Sequence, residues 1–427
     1  MSRVKLYNVR CFGELEIDFR RPDTDPSGWN VILGDNATGK STLLRSIAMG
    51  LCDEAGAAGL LKESDAGYIR RGSKEAEINI HLHDPRNPSK DFRITTTVRR
   101  ETRGRGIYAD RVRQTTDPPR AAFPWHTLFV SGYGAGRGVT GTGDISSYSV
   151  LDAVYNMFNY TEGLQNPELV IRRLSASTPT PNRIPRQISN LLQSAMHTDE
   201  IRLSSNGIRV SGPWGRGMPL RDLADGYKSS FLWITDLLGW ALAFNPRRKS
   251  AKGIRGIVLI DELEQHLHAR WQRTAVDDLR DSFPNVQFIA STHSPLIASS
   301  IGPPLQTKVA DRLYVLESHG RKGVKAEEHE FMRGLTMDQV LASRAFKYQI
   351  QASPSTESML RAVSSIGDTI ERTPEQEEVF DEVKEKLKYA FLSGMSPIER
   401  ISQLEAETEL IERINSLINE KDNTGDN

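Results

Sequence analysis

Gly34-Asp35-Asn36-Ala37-Thr38-Gly39-Lys40-Ser41-Thr42 follows the apolar run Val31-Ile32-Leu33 and leads into the helical pattern Leu43-Leu44-Arg45-Ser46-Ile47-Ala48. The stretch reads G-x-x-x-x-G-K-S between a strand and a helix, which is the pattern of a P-loop. Its glycines let backbone N–H groups close around phosphates. Lys40 reaches the β- and γ-phosphates, and the Ser41 hydroxyl completes a Mg²⁺ shell at a helix N-terminus that favours anions. A nucleotide and Mg²⁺ are the expected ligands, with residues 34 to 42 as the cradle.

Downstream, Ile257-Val258-Leu259-Ile260-Asp261-Glu262 is a short β-branched strand ending in two acids. A carboxylate at the C-terminal end of a buried parallel strand is where Mg²⁺ on P-loop phosphates needs a ligand, and its neighbour can orient an attacking water. Asp261 is the metal candidate and Glu262 the base, although either acid taken singly reads as a helix cap. The next apolar strand, Val286 to Ala290, ends in Ser291-Thr292-His293-Ser294-Pro295 and sets His293 at the same strand-end level, toward a γ-phosphate. Between the P-loop and these acids, Leu220 to Ser230 leads into a helix from Phe231 to Phe244 that is apolar all round, hence buried. Gly226 marks the turn into it, where free N–H groups either hold a phosphate or form an ordinary cap. His266 and His268 supply too few ligands for zinc.

The remaining chain organises around this set. Residues 3 to 19 alternate as two antiparallel strands, and 75 to 83 and 92 to 98 add an antiparallel layer beside the nucleotide-binding sheet. Arg99, Arg100, Arg103, Arg105, Arg111 and Arg113, with Tyr108 among them, form the nucleic-acid candidate; the competing reading is a solvated hairpin tip. Gly136-Arg137-Gly138-Val139-Thr140-Gly141 spells a dinucleotide fingerprint, but no helix begins at its last glycine, so a flexible loop joining two lobes is expected. Four regions result: an ATPase lobe at 1–144, a helical insert at 145–215 that reads mostly helical to residue 200 and ends in two strand-like fragments, Glu200 to Leu203 and Ile208 to Val210, a second ATPase lobe at 216–329 and an acidic helical domain at 330–427.

In that last region 11 lysines and arginines face 19 acids, against a formal net charge of zero for the whole chain, so the body is basic and the tail acidic. Thr373-Pro374-Glu375-Gln376 and Ser396-Pro397-Ile398-Glu399 read as helix starts, followed by apolar stripes through Val379 to Phe391 and Ile401 to Leu417. Such a tail suits docking of a partner, and 419–427 reads as disordered. Two cysteines, Cys11 and Cys52, point to a reducing compartment. With no apolar h-region and no run of about 18 apolar residues, a soluble cytoplasmic protein without a membrane partner is expected.

Taken in order, the P-loop, Leu223-Ala224-Asp225-Gly226-Tyr227, Ile260-Asp261-Glu262 and His293 resemble the motifs of the ABC-type ATPases within the AAA family. The opening Asn8-Val9-Arg10 and the run Asp261-Glu262-Leu263-Glu264-Gln265-His266-Leu267-His268 narrow the resemblance to the SMC/RecF/OLD-like branch. Gly334 to Leu341 is similar to the tail pattern of the small stand-alone, Septu-type ATPases of prokaryotic anti-phage systems. The resemblance implies an α/β fold: an ABC-type P-loop ATPase head, with a mostly parallel sheet flanked by helices plus an antiparallel β layer, a helical insert and a C-terminal helical appendage.

It also implies a mechanism. Two protomers, as a homodimer or within a higher homo-oligomer, sandwich ATP. Each ATP is held by one P-loop, with Asn8 and Arg10 beside it, and by the opposite protomer's Ala224, Asp225 and Gly226. Lys40 neutralises phosphate charge, Ser41 and Asp261 hold Mg²⁺, Glu262 polarises water and His293 contacts the γ-phosphate. Ala224 replaces a family serine, leaving Ser229 as a substitute, and His268 stands at the family's D-loop aspartate position; slow basal hydrolysis is expected. The implied role is a sensor or regulator of a separate effector, a nuclease, with DNA as a further partner. The alternatives are a DNA-repair ATPase and an ATP-binding scaffold with little hydrolysis.

Overall fold

The strand that feeds the P-loop, β3 (Gly28–Gly34), is buried along nearly its whole length, as a strand covered on both faces must be. In the computed structural model it lies inside a six-stranded sheet of order β14-β13-β3-β12-β11-β7, formed with β7 (Phe129–Tyr133), β11 (Gly256–Ile260), β12 (Val286–Ser291), β13 (Arg312–Ser318) and β14 (Val324–His329). Every pairing in it is parallel except β13 with β14. A second, antiparallel sheet has the order β2-β1-β4-β5-β6, from β1 (Arg3–Val9), β2 (Phe12–Asp18), β4 (Glu75–Leu82), β5 (Phe92–Thr102) and β6 (Tyr108–Asp117). The mostly parallel sheet and the antiparallel layer expected of an ABC-type head are both present.

The structure describes residues 1–20, 28–64, 67–83, 91–102, 108–119, 128–137, 141, 147–161, 163–176, 189–193, 198–204, 207–245, 253–302, 311–320 and 323–346. These fall within one compact unit, Met1–Lys347. Alternation along the central strands divides its core in two. Trp29, Val31 and Leu33 of β3, Val258 and Ile260 of β11, and Phe288 and Ala290 of β12 face one apolar cluster; Ile32, Ile257, Leu259 and Ile289 face the other. The second cluster is filled by α1 (Lys40–Leu51), which follows the P-loop, by α2 (Glu54–Lys62) and by the inner face of the antiparallel sheet.

After α3 (Val150–Val154), whose Val150 and Val154 join the second cluster, the first face is covered by α4 (Pro167–Ala176) and α5 (Asp225–Phe244), whose Phe231, Trp233, Ile234 and Leu237 are buried, as its all-round apolarity predicts. In the stretch expected as a helical insert, 145–215, the helices α3 and α4 lie among the described residues before Glu200. From Glu200 it becomes an antiparallel meander, β8 (Glu200–Ser204), β9 (Gly207–Gly212) and β10 (Gly215–Pro219). Alternation in Ile201, Leu203, Ile208 and Val210 over short segments is a period-2 signal, and tight turns with Gly207 at φ +98° and Gly215 at φ +150° complete it.

Four short helices follow among the described residues: α6 (Ala269–Gln272), α7 (Ala275–Ser282) and α8 (Pro295–Ala298), and after β14 the last, α9 (Met337–Ala342). The last begins with a reciprocal capping box between Thr336 and Gln339. The compact unit thus runs past residue 330, where the sequence places the acidic tail. The helix starts at 373 and 396, their apolar stripes and 419–427 lie outside the described residues. No helix among the described residues is long and apolar enough to cross a membrane.

Candidate nucleotide site

At the end of β3 the chain turns through Gly34 (φ +148°), Ala37 (φ +65°) and Gly39 (φ +96°) before α1 begins at Lys40. A Cβ on Gly34 would stand 2.7 Å from the Leu316 carbonyl oxygen, and one on Gly39 would stand 2.5 Å from the Cys11 sulfur. Glycine is required at both places by φ and by space. The Thr38 hydroxyl donates to the Asp35 carbonyl (2.8 Å), closing the loop, and Gly39 caps α1 without a side chain, leaving its first amides to a ligand. Asp35, Asn36 and Ala37 are exposed at the crest, and Ser41 and Thr42 are half-buried in the first turn of α1.

Lys40 is only 6% exposed, and its ammonium donates to the carbonyls of Gly34 (2.8 Å) and Asp35 (2.9 Å). Burial lowers its pKa; the charges of Asp261, Glu262, Glu264 and Asp35 act in the opposite direction. Asn8 (φ +52°) and Arg10 (φ +45°) shape the turn between β1 and β2, which sets Cys11 and Phe12 over Gly39. Arg10 lies over the Tyr68 ring, 5.6 Å from its centroid, and bonds to Ser64, so this turn is anchored from behind.

The acids at the end of β11 are braced by the neighbouring strand. The Ser291 hydroxyl donates to Asp261 Oδ1 (2.6 Å) and accepts from the Glu262 amide (2.8 Å). Asp261 is 2% exposed, and Glu262 is held at φ +51°. Glu264 accepts from the Thr292 hydroxyl (2.6 Å) and from the His293 amide (2.7 Å), which locks the ends of β11 and β12 together. The His293 side chain is exposed at this rim.

Of the stretch expected to be a flexible joint after β7, residues 138–140 lie outside the described residues, and Arg137 at its start is tied to the acid turn. Arg137 is fully buried and donates to the carbonyls of Gly134 (3.2 Å), Asp261 (2.7 Å), Glu262 (2.8 Å), Leu263 (3.1 Å) and Gln265 (3.2 Å). Burial pushes its pKa down to about 10, opposed by Glu264, Asp261 and Glu262, so it remains charged at neutral pH. Arg137, Glu264 and Ser291 are the site residues that sequence reasoning missed. The available signal was position: each follows or ends a strand of the parallel sheet at the edge that carries the P-loop.

Ala224 is the N-cap of α5 and makes no side-chain cap bond. Ala224 and Asp225 are exposed, and the Lys228 ammonium, 2.8 Å from Asp225, holds that carboxyl below its usual range. Gly226 sits against the acid turn, where an added Cβ would stand 3.3 Å from the His266 carbonyl oxygen. Ser229, the expected substitute for the missing serine, is buried in α5 at 5% exposure and does not face the surface. His268 caps α6, its Nδ1 accepting from the Arg270 amide (3.2 Å).

The hairpin arginines lie in the antiparallel sheet, where Arg99 pairs with Glu75 (2.6 Å), Arg100 with Asp110 (3.3 Å) and Arg111 with Glu101 (3.6 Å). Arg113, on the same strand as Arg111, is exposed and stands opposite Thr97 in the β5–β6 register. Arg103 and Arg105 lie outside the described residues.

A family model described as "AAA domain, putative AbiEii toxin, Type IV TA system" matches residues 29–299, from β3 through the helix after His293. The chain is similar to the Septu protein PtuA of Bacillus mycoides, 26% identical over 99% of this chain and 52% of that protein. It is also similar to the Retron Vc95 probable ATPase of Vibrio cholerae, 23% identical over 70% of this chain and 71% of that one. The chain therefore spans about half the length of the first of these relatives. Among solved structures, the SMC head domain from Thermotoga maritima aligns with 77% of this chain and 98% of its own at 15% identity, with a TM-score of 0.41.

Proposed function

The chain belongs to the AAA-domain family whose model spans its residues 29–299, and from that membership we propose that it binds and hydrolyses ATP, closes as a dimer around it, and signals its nucleotide state to a separate effector, a nuclease in anti-phage defence. The observation that carries the ATPase reading is that β3, β12 and β11 are parallel neighbours in register, so the P-loop with its buried Lys40 leaves the sheet at the same edge as Asp261 and Glu262, acids more than two hundred positions away along the chain. The defence role is supported more distantly, by the Septu and retron relatives.

The donor set suits a hard cation on phosphates. Ser41 and Asp261 are oxygen donors and would hold Mg²⁺, which when bound screens phosphate charge during attack by water. Lys40, released from the loop carbonyls, neutralises β- and γ-phosphate charge, and Glu262 takes up the proton of the attacking water. In this reading His293, exposed at the rim, contacts the γ-phosphate. Ala224, Asp225 and Gly226 present the open start of α5 to the nucleotide of a second copy.

Because Ala224 brings no hydroxyl, Ser229 is buried and His268 is engaged as a cap, basal turnover is slow. A kcat below about 1 s⁻¹, the low end of the usual enzyme range, is expected in phosphate-release assays of the isolated protein. Glu262→Gln tests the whole reading: hydrolysis should fall by about 10²- to 10⁴-fold, the usual worth of a positioned base, while an ATP-dependent dimer accumulates in light scattering. Wild-type hydrolysis by this variant would remove Glu262 from its role, and failure of the parent protein to bind ATP would remove the ATPase reading.

A further inference from the structure

The turn that carries Asp261 and Glu262 is neither helix nor strand. Its own backbone supplies little to hold it: Gln265 bonds back to Glu262 (2.9 Å) and Leu267 to Glu264 (2.9 Å), while Leu263 reaches across to Ser291 (2.9 Å). Two of its residues are left at positive φ without being glycine, Glu262 at +51° and His266 at +65°. A backbone in that region persists only where its surroundings impose it.

The imposing group on the inner side is Arg137. Its Nη1 donates to Gly134 and Asp261, and its Nη2 to Glu262, Leu263 and Gln265. The carbonyls of residues 261, 262, 263 and 265 are gathered around one planar cation, while Leu263 anchors the turn in the core at 0% exposure and Asp261 stays buried beside Ser291. The guanidinium also lies 6.0 Å from the Trp233 ring of α5, the helix that opens at Ala224 to Gly226. At the far end of the turn, the Ser230 hydroxyl of α5 bonds to the carbonyls of Gly226 (3.0 Å) and His266 (3.4 Å). Arg137 therefore sits where the loop after β7, the acid turn and the start of α5 meet.

We propose that Arg137 is a positioning residue for hydrolysis: by gathering the carbonyls of residues 261, 262, 263 and 265 it holds Glu262 and Asp261 in their reactive register. The inference rests on the ATPase reading for its kinetic consequence, and on geometry alone for its structural one. A lysine keeps the charge but offers a single ammonium in place of a fork of fixed N–H directions. It can neutralise the pocket without reproducing the register.

The test compares the full-length protein with Arg137→Lys and Arg137→Ala, by steady-state ATP hydrolysis and by amide exchange. In Arg137→Lys, kcat should fall about 10- to 100-fold with KM within about threefold of the parent, the scale of loss that a 1 Å misplacement produces. Amides of 261–268 should exchange faster while those of α1, behind the P-loop, do not change. Arg137→Ala should show the same local exchange to a greater degree, or fail to fold, in which case the lysine variant decides. Unchanged kcat together with unchanged exchange at 261–268 overturns the proposal. So does a uniform rise in exchange across the chain with KM and kcat shifting together, which is the mark of a general structural role. If the parent protein hydrolyses no ATP, the ATPase reading fails by itself, and the exchange at 261–268 still decides whether Arg137 sets that turn.

Discussion

Arg137 and Arg99 carry the same guanidinium, and their surroundings give it different work. Arg137 has no exposed surface and its partners are carbonyls, which have no charge of their own to neutralise it. Arg99 has a side chain 64% exposed and a carboxylate partner, Glu75, directly across from it in the β4–β5 ladder. Water screens the second arrangement, so it contributes little to stability; the first excludes water, so each bond it makes is costly to lose. The number of arginines in a segment thus says less than the dielectric around each. Arg137→Ala should break the buried side of this contrast, leaving several inward carbonyls without donors and lowering unfolding free energy by about 3–5 kcal/mol, the range of the larger single-residue losses. Urea unfolding of the full chain measures it. A loss below about 1 kcal/mol would mean that water fills the place of the guanidinium, and the contrast would fail.

What the sequence discloses divides along the same line. The P-loop, the acids after β11 and His293 after β12 are legible because each is a local pattern: an apolar run, then polar residues where a strand must end. The antiparallel layer is legible from alternation, as is the buried α5 from its unbroken apolarity. Arg137 is hard to read because four of its five carbonyl partners lie more than a hundred positions away, and a glycine-flanked arginine looks the same in solvent as in a core. Glu264 is hidden differently, inside an acidic run where nothing local says that its carboxylate will close on Thr292 and His293. The meander from Glu200 was visible as fragments, but its extent depends on turns set by Gly207 and Gly215, for which hydrophobic pattern carries no signal.

Asp236 sharpens the contrast with a buried charge of the opposite sign. It lies on α5 at 2% exposure, accepting from the Tyr133 hydroxyl (3.0 Å) and from the Gln165 amide (2.8 Å). Burial pushes its pKa up to about 6, against the hydrogen bonds from Gln165, Tyr133 and Trp240 that favour the charged form. In the unfolded chain an aspartate titrates near 3.9, so between about pH 4 and 6 the folded state holds a proton that the unfolded state has released. The stabilisation from this group is complete below pH 4 and lost as pH rises through about 6, a change of about 2–3 kcal/mol. Asp236→Asn, which is neutral throughout, should therefore gain on the parent protein by roughly that amount between pH 4 and pH 7. Parallel stability curves for the two proteins would show that Asp236 ionises without penalty and that burial at this position is not what sets its charge.

The smallest effect belongs to the exposed side. A double-mutant cycle on Arg99→Ala and Glu75→Ala should give a coupling of about 0.5 kcal/mol or less in low salt, falling further as salt screens the pair. Both side chains reach well into solvent, 64% and 48% exposed, so little desolvation opposes or amplifies their attraction. The strands themselves are held by the antiparallel ladder that pairs Glu75 with Arg99 through the backbone, and this remains when the side chains are cut back. A coupling above about 1 kcal/mol that persists in high salt would place Arg99 with Arg137 rather than opposite it. The distinction would then rest on bond geometry, since a charge whose pairing survives screening is held by directional hydrogen bonds and not by its field.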